Sequence, residues 1–217
     1  MIKAVIFDMD GLLIDSEPKW DEARADMAKR LDKSWGKKDH AAVMGVSTEE
    51  WATYMRDTWD LDMSLAEIVE EIVGRMRGYY REQIPFRKNA VEAVNLAAEH
   101  YRTALASGSE RSLIDIVTTS EELDGKFEVV LSADQVERGK PHPDVYLETA
   151  KRLGVEPEQC VCLEDSQNGM LAGLNAGFKV IGIPDEDFPV DKEVLDKVDA
   201  VLESLDEFTL DLIESLD

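Results

Sequence analysis

Six short apolar segments, most of them rich in β-branched residues, recur along the 217-residue chain with helix-like stretches between them. That alternation constrains the fold more than any other feature. The segments are 4–7, 103–106, 127–131, 160–163, 179–183 and 200–202, and the stretches 112–120, 143–153 and 168–176 have helical spacing. Gly154 and Gly177 follow the last two of these, where a helix ends most readily on a left-handed residue. Strands joined by helical crossovers run parallel and are covered on both faces. The chain is therefore expected to be an α/β protein with a Rossmann-like doubly wound parallel sheet that binds its ligand beyond the carboxyl ends of the strands.

One interval breaks the rhythm. Residues 16–82 contain no convincing strand and instead carry three stripes at helical spacing: Trp20, Ala23, Met27 and Leu31; Trp51, Tyr54, Met55 and Thr58; Ile68, Ile72, Met76 and Tyr79. A helical insert placed directly after the first strand would stand above that strand's carboxyl end as a lid. This divides the chain into a core of residues 1–15 and 83–217 and a helical cap of residues 16–82, with hinges near Asp15 and near Gln83 to Pro85.

Charge narrows the functional classes. With 47 acidic and 24 basic residues the formal net charge is −23, a surface that repels nucleic-acid backbones. No apolar run reaches bilayer length, and Met1 opens straight into the first strand, so a cytoplasmic protein without a signal peptide is expected. The charged surface argues for a monomer. Cys160 and Cys162 would face one side of a strand as buried, reduced thiols, and His40, His100 and His142 lack metal-ligand spacing.

Chemistry concentrates at four places, each at the expected carboxyl end of a strand. The first apolar run stops at Asp8 and Asp10, spaced i, i+2; strand alternation puts both on one side, close enough to share a cation and act on one substrate atom. Gly11 follows, permitting a sharp backbone turn under a bound group. Ser107, Gly108 and Ser109 form a loop whose hydroxyls and amides suit a phosphoryl oxygen. Lys140 sits in the proline-bounded loop Gly139-Lys-Pro-His-Pro143, and Glu164-Asp165 closes the fourth strand with oxygen ligands suited to a hard cation such as Mg2+.

These motifs resemble those of the haloacid dehalogenase-like hydrolase superfamily: Asp8-Met-Asp10-Gly11, Ser107, Lys140 and Glu164-Asp165, with the insert resembling the cap of the β-phosphoglucomutase-like subgroup. The resemblance spans essentially the whole chain. Leu12 to Trp20, Val43 to Val46 and Gly139 to Tyr146 look most like small phosphatases acting on hexitol, 2-deoxyglucose or pseudouridine phosphates, while Pro85-Phe86 departs from the usual Pro-Gly. The resemblance implies Asp8 as nucleophile forming an aspartyl-phosphate, and Asp10 as general acid and base. It implies Ser107 and Lys140 as phosphoryl ligands, and Mg2+ held by Asp8, Asp10 through its carbonyl, and Asp165, with Glu164 as a direct or outer partner. Gly11, Gly108, Ser109, Trp20 and Gly45 are candidate substrate contacts. In the mutase a histidine, a lysine and an arginine of the cap assist binding and proton transfer; Trp20, Met44 and Thr48 stand where these would fall. A lid without such cations favours water as the final acceptor, so the expected function is a magnesium-dependent phosphatase of small phosphate monoesters. β-Phosphoglucomutase is the alternative, and a non-catalytic phosphate-binding protein the alternative of another class. Trp20, Met44, Trp51 and Tyr54 are expected to form an aromatic or apolar wall over the leaving group.

Overall fold

The structure, a computed structural model, describes residues 1–43, 46–185 and 189–216. Its centre is a six-stranded parallel sheet in the order β3-β2-β1-β4-β5-β6, formed by β1 (Ala4–Phe7), β2 (Arg102–Ser107), β3 (Val129–Ser132), β4 (Cys160–Glu164), β5 (Lys179–Gly182) and β6 (Ala200–Val201). The order reverses around β1, which pairs with β2 on one side and β4 on the other. This is the switch point at which doubly wound sheets open a ligand crevice.

Among the described residues, five helices lie between β1 and β2: α1 (Glu17–Arg30), α2 (Lys37–Val43), α3 (Thr48–Trp59), α4 (Leu65–Glu82) and α5 (Ala90–His100). The crossovers that follow carry α6 (Arg111–Thr118), α7 (Asp144–Leu153) and α8 (Gln167–Ala176), and α9 (Lys192–Leu195) and α10 (Leu210–Ser215) close the chain. Helix α7 ends at Gly154 (φ +68°) and α8 at Gly177 (φ +79°), both left-handed. Ser47 with Glu50, and Ser64 with Glu67, form capping boxes that fix the starts of α3 and α4.

Strand alternation divides the interior in two. Val5 and Phe7 join one cluster, which continues without a break into the insert through Met27, Met55, Ile72 and Met76. Ala4 and Ile6 join a second cluster on the other face with Ala104, Tyr146, Cys160 and Cys162, both cysteines being buried free thiols. The helical stripes are rotated slightly from expectation. In α3 the buried face is Trp51, Ala52, Met55 and Trp59, leaving Thr58 exposed, and α4 ends its stripe on Tyr80, with Tyr79 half-buried. Leu31 is half-buried just beyond α1, and Arg24 occupies a buried position on that helix.

The two segments that lead into and out of the insert lie side by side. Asp15 donates its backbone N–H to Pro85 (2.8 Å) and Arg87 to Leu13 (2.9 Å), and Ile14 bridges Phe86. Phe86 thus takes part in a short two-stranded contact at the neck. None of the described helices is long and apolar enough to cross a membrane.

Candidate active site

A cavity of about 590 Å³ lies between the carboxyl ends of the central strands and the helices that follow β1. That size suits a small metabolite rather than a polymer. Its floor comes from β1, β2 and β4 and the segments that follow β1, β2, β3 and β4: Asp8, Asp10, Gly11, Gly108, Ser109, Lys140 and Asp165. Its roof comes from α1 and α3 and the segment before α3: Glu17, Trp20, Arg24, Val46, Thr48 and Trp51.

Lys140 organises the floor. Although Asp8 and Glu164 lie far from it in sequence, its Nζ donates to Asp8 Oδ1 (2.6 Å), Glu164 Oε1 (2.6 Å) and the Ala106 carbonyl (3.0 Å). The ammonium also lies 5.1 Å from the Tyr146 ring centroid, and the Tyr146 hydroxyl donates to Glu164 Oε1 (2.5 Å). Ser166 completes Glu164 by donating to its other oxygen (3.3 Å) while capping α8. Burial works against the Lys140 charge, but the adjoining Asp8 and Glu164 carboxylates outweigh it and hold the pKa above the ordinary lysine value. Burial pushes Asp8 up, against the opposite pull of Lys140. Asp165 is also driven up, first by burial and then by Asp8 and Glu164.

Asp10 is held differently. Ser109 Oγ donates to its Oδ2 at 2.7 Å and Ser107 Oγ at 3.2 Å, while the Trp20 indole N–H approaches Oδ1 at 3.5 Å. Ser107 is wholly buried and also accepts from the Ser109 backbone N–H (3.0 Å), so its hydroxyl serves Asp10 and does not line the cavity. Between the two aspartates, Met9 turns into the core and is fully buried, which leaves Asp8 and Asp10 facing the same cavity.

Asp8, Glu164 and Asp165 bring carboxylate oxygens within 4.8 Å of one another. Asp165 Oδ1 is buried without a hydrogen-bond partner among the described residues, an arrangement that fits a divalent cation ligated by oxygen. The Asp10 side chain is not part of that acidic group. Gly11 explains how Asp165 comes so close: its φ is +81°, and a Cβ there would lie 1.9 Å from Asp165 Oδ2. Gly169 does the same for Glu164, whose carboxylate occupies the space a side chain would need.

The profile of the haloacid dehalogenase-like hydrolase family matches residues 2–177. The chain belongs to that family. This hydrolase is 37% identical over 214 residues to hexitol phosphatase B of Escherichia coli (strain K12), a match covering 96% of this chain and 95% of that protein. It is 31% identical to the phosphorylated carbohydrates phosphatase of Thermotoga maritima, over 83% of this chain and 84% of that protein. Its fold matches the crystal structure of CbbY from Rhodobacter sphaeroides in complex with phosphate, with a TM-score of 0.86, 24% identity and coverage of 99% and 100%. The chain is thus a haloacid dehalogenase-like hydrolase whose two relatives named here are phosphatases.

Several sequence expectations about the roof need correction. Trp20 and Trp51 line the cavity, but Tyr54 does not, because its hydroxyl donates to Asp39 (2.8 Å) at the foot of α2. Met44 and Gly45, expected as roof and substrate contacts, lie outside the described residues. The expectation that the lid lacks cations is wrong: Arg24, one turn beyond Trp20, reaches the cavity. Its charge was hidden in the sequence because a lone arginine on an amphipathic helix reads as solvated. Sequence reasoning also passed over Glu17, Tyr146 and Arg87; the last pairs with Asp185 and lies 3.4 Å from Asp15 at the neck.

Proposed function

We propose that this hydrolase is a magnesium-dependent phosphatase that removes phosphate from small sugar or polyol phosphates through an aspartyl-phosphate on Asp8. The reading rests above all on Asp8, a buried carboxylate facing the cavity with an ammonium 2.6 Å away. Lys140 is fixed by Glu164 and Tyr146, so it can neutralise a transferring phosphoryl group without reorganising. Asp10, steered by Ser107 and Ser109, is placed to protonate the leaving oxygen and then to take a proton from water. Gly108 lines the cavity beyond the end of β2, where its backbone N–H can donate to a phosphoryl oxygen, while Ser109 spends its hydroxyl on Asp10.

Asp8, the Asp10 carbonyl and Asp165 would hold Mg2+, which supplies positive charge that favours the ionised nucleophile and offsets the repulsion between two anions. Glu164, whose oxygens already accept from Lys140, Tyr146 and Ser166, acts by orienting Lys140. Residues 16–82 form the lid and residues 1–15 with 83–217 the core, and closure of the lid excludes bulk water while Asp8 is phosphorylated.

The test is phosphate release, with Mg2+ and with a chelator, across hexitol, hexose, pentose, glycerol and nucleoside monophosphates. Mg2+-dependent release from sugar or polyol esters is expected; no release from any of them would overturn the proposal. Conversion of β-glucose 1-phosphate to glucose 6-phosphate without free phosphate would establish the mutase instead.

A further inference from the structure

Arg24 is 4% exposed, yet among the described residues neither its Nε nor its Nη1 has a hydrogen-bond partner. Its aromatic neighbours account for where it lies but not for its unmet donors. The guanidinium carbon is 5.0 Å from the Trp20 ring and 5.6 Å from that of Trp51, and such stacking engages the face of the group while its N–H bonds point outward in the plane. Leaving buried N–H groups of a cation unpaired is costly, and burial lowers the Arg24 pKa to about 10. A chain tolerates this where a ligand completes the bonds.

Glu17 stands seven residues earlier on the same face of α1, and long helical side chains lean toward the helix N-terminus, so Arg24 reaches back over the Trp20 turn toward it. Glu17 is the charged group that acts most strongly on Arg24. Its Oε2 is buried without a hydrogen-bond partner among the described residues, with His40 Nε2 3.6 Å away, and both Glu17 and Arg24 line the cavity.

We propose that Arg24 and Glu17 form a donor and acceptor pair that reads the hydroxyl groups of a neutral, polyhydroxylated leaving group, and that Glu17 disfavours leaving groups bearing a second anion. The proposal rests on the phosphatase reading above. A hydroxyl can accept from Arg24 and donate to Glu17 at once, while the C–H faces of a carbon chain pack on Trp20 and Trp51. A second phosphate would suit Arg24 but would stand among Glu17, Asp21 and Asp10, the acidic groups that act on that arginine. An alkyl or acyl leaving group without hydroxyls would leave both unmet.

The experiment measures kcat/KM for a hexitol 6-phosphate, fructose 1,6-bisphosphate and acetyl phosphate in the wild type and in Arg24→Met, Arg24→Lys and Glu17→Gln. Both Arg24 variants are expected to lower the ratio of hexitol phosphate to acetyl phosphate at least tenfold, because lysine keeps the charge but not the planar fork. Glu17→Gln is expected to raise the ratio of bisphosphate to hexitol phosphate at least tenfold. Acetyl phosphate turnover in the same preparations reports an intact core, and Arg24→Lys preserves charge and most of the stem if Arg24→Met fails to fold. Smaller changes in these ratios, or a wild-type preference for the bisphosphate, would overturn the pair's role while leaving the phosphatase standing. A wild type that releases phosphate from none of the three overturns the phosphatase reading, and this inference falls with it.

Discussion

The floor and the roof of the cavity solve opposite problems. In the floor, most charged groups are held by protein neighbours: Lys140 holds Asp8 and Glu164, Tyr146 and Ser166 hold Glu164, and separately two serines hold Asp10. In the roof, Arg24 is buried and Glu17 half-buried, each with buried polar atoms that have no hydrogen-bond partner among the described residues. Groups that perform the same chemistry on every substrate are fixed in advance by protein neighbours. Groups that face the variable part of the substrate leave their bonds for the ligand to make. Among the described residues, the one unmet buried oxygen in the floor belongs to Asp165, where a cation fits.

The comparison breaks first if the floor is not catalytic. Asp8→Asn should lower phosphate release by at least about a thousandfold, or roughly 4 kcal/mol in barrier, while circular dichroism shows a retained fold. Activity above that level would remove Asp8 as nucleophile. Lys140→Met strips the shared cation from two buried carboxylates, so it should destabilise the protein by about 3–5 kcal/mol in metal-free buffer as well as suppress turnover. A melting temperature near that of the wild type would mean the network is looser than its distances indicate.

Gly11→Ala tests the close approach of Asp165. A methyl group there meets the carboxylate and strains a left-handed backbone, so a loss of about 1–3 kcal/mol is expected together with weaker stabilisation by added Mg2+, read by thermal shift. An unaltered response to Mg2+ would place the cation elsewhere.

The roof carries a signature of its own. Burial raises the Glu17 pKa from 4.5 to about 7 in the folded protein, so the folded state holds this proton more tightly than the unfolded chain does. Stability from this group is therefore full below about pH 4.5 and is lost as pH rises through 7, by about 2 kcal/mol after allowance for residual solvent contact. Glu17→Gln should flatten the decline between pH 5 and 8 in denaturant titrations; an identical slope would show that Glu17 is better solvated than its burial suggests. The smallest expected effect is electrostatic. A net charge of −23 should slow encounter with dianionic substrates, so kcat/KM should rise modestly with inert salt at fixed Mg2+. A steep fall would reveal a locally positive entrance formed by groups such as Arg24 and Arg87.

Much of the floor was legible because its motifs lie at strand ends. A parallel strand has a forced direction, so Asp8, Ser107 and Glu164 had to emerge on one edge once their segments were read as strands. Strand limits moved by only one or two residues, for reasons that involve partners. Arg102 joins β2 because it pairs with Ala4, and Phe127 is left out of β3 while its ring packs 6.3 Å from that of Phe7. The loop lysine was visible, but its two carboxylate partners were not, since 132 and 24 residues separate Lys140 from Asp8 and Glu164.

The roof was read less well. Helical stripes located its packing faces, yet the same periodicity tolerates a small rotation that buries Trp59 for Thr58 and Tyr80 for Tyr79. By itself, then, the sequence determined a doubly wound sheet, a helical insert after its first strand and four strand-end motifs, because these follow from local periodicity and chain direction. Tertiary structure decided that Ser107 serves Asp10, that Tyr54 turns away and that Arg24 turns in. Those outcomes depend on helix rotation and on which distant groups meet in a space from which water is excluded, and no local pattern encodes either.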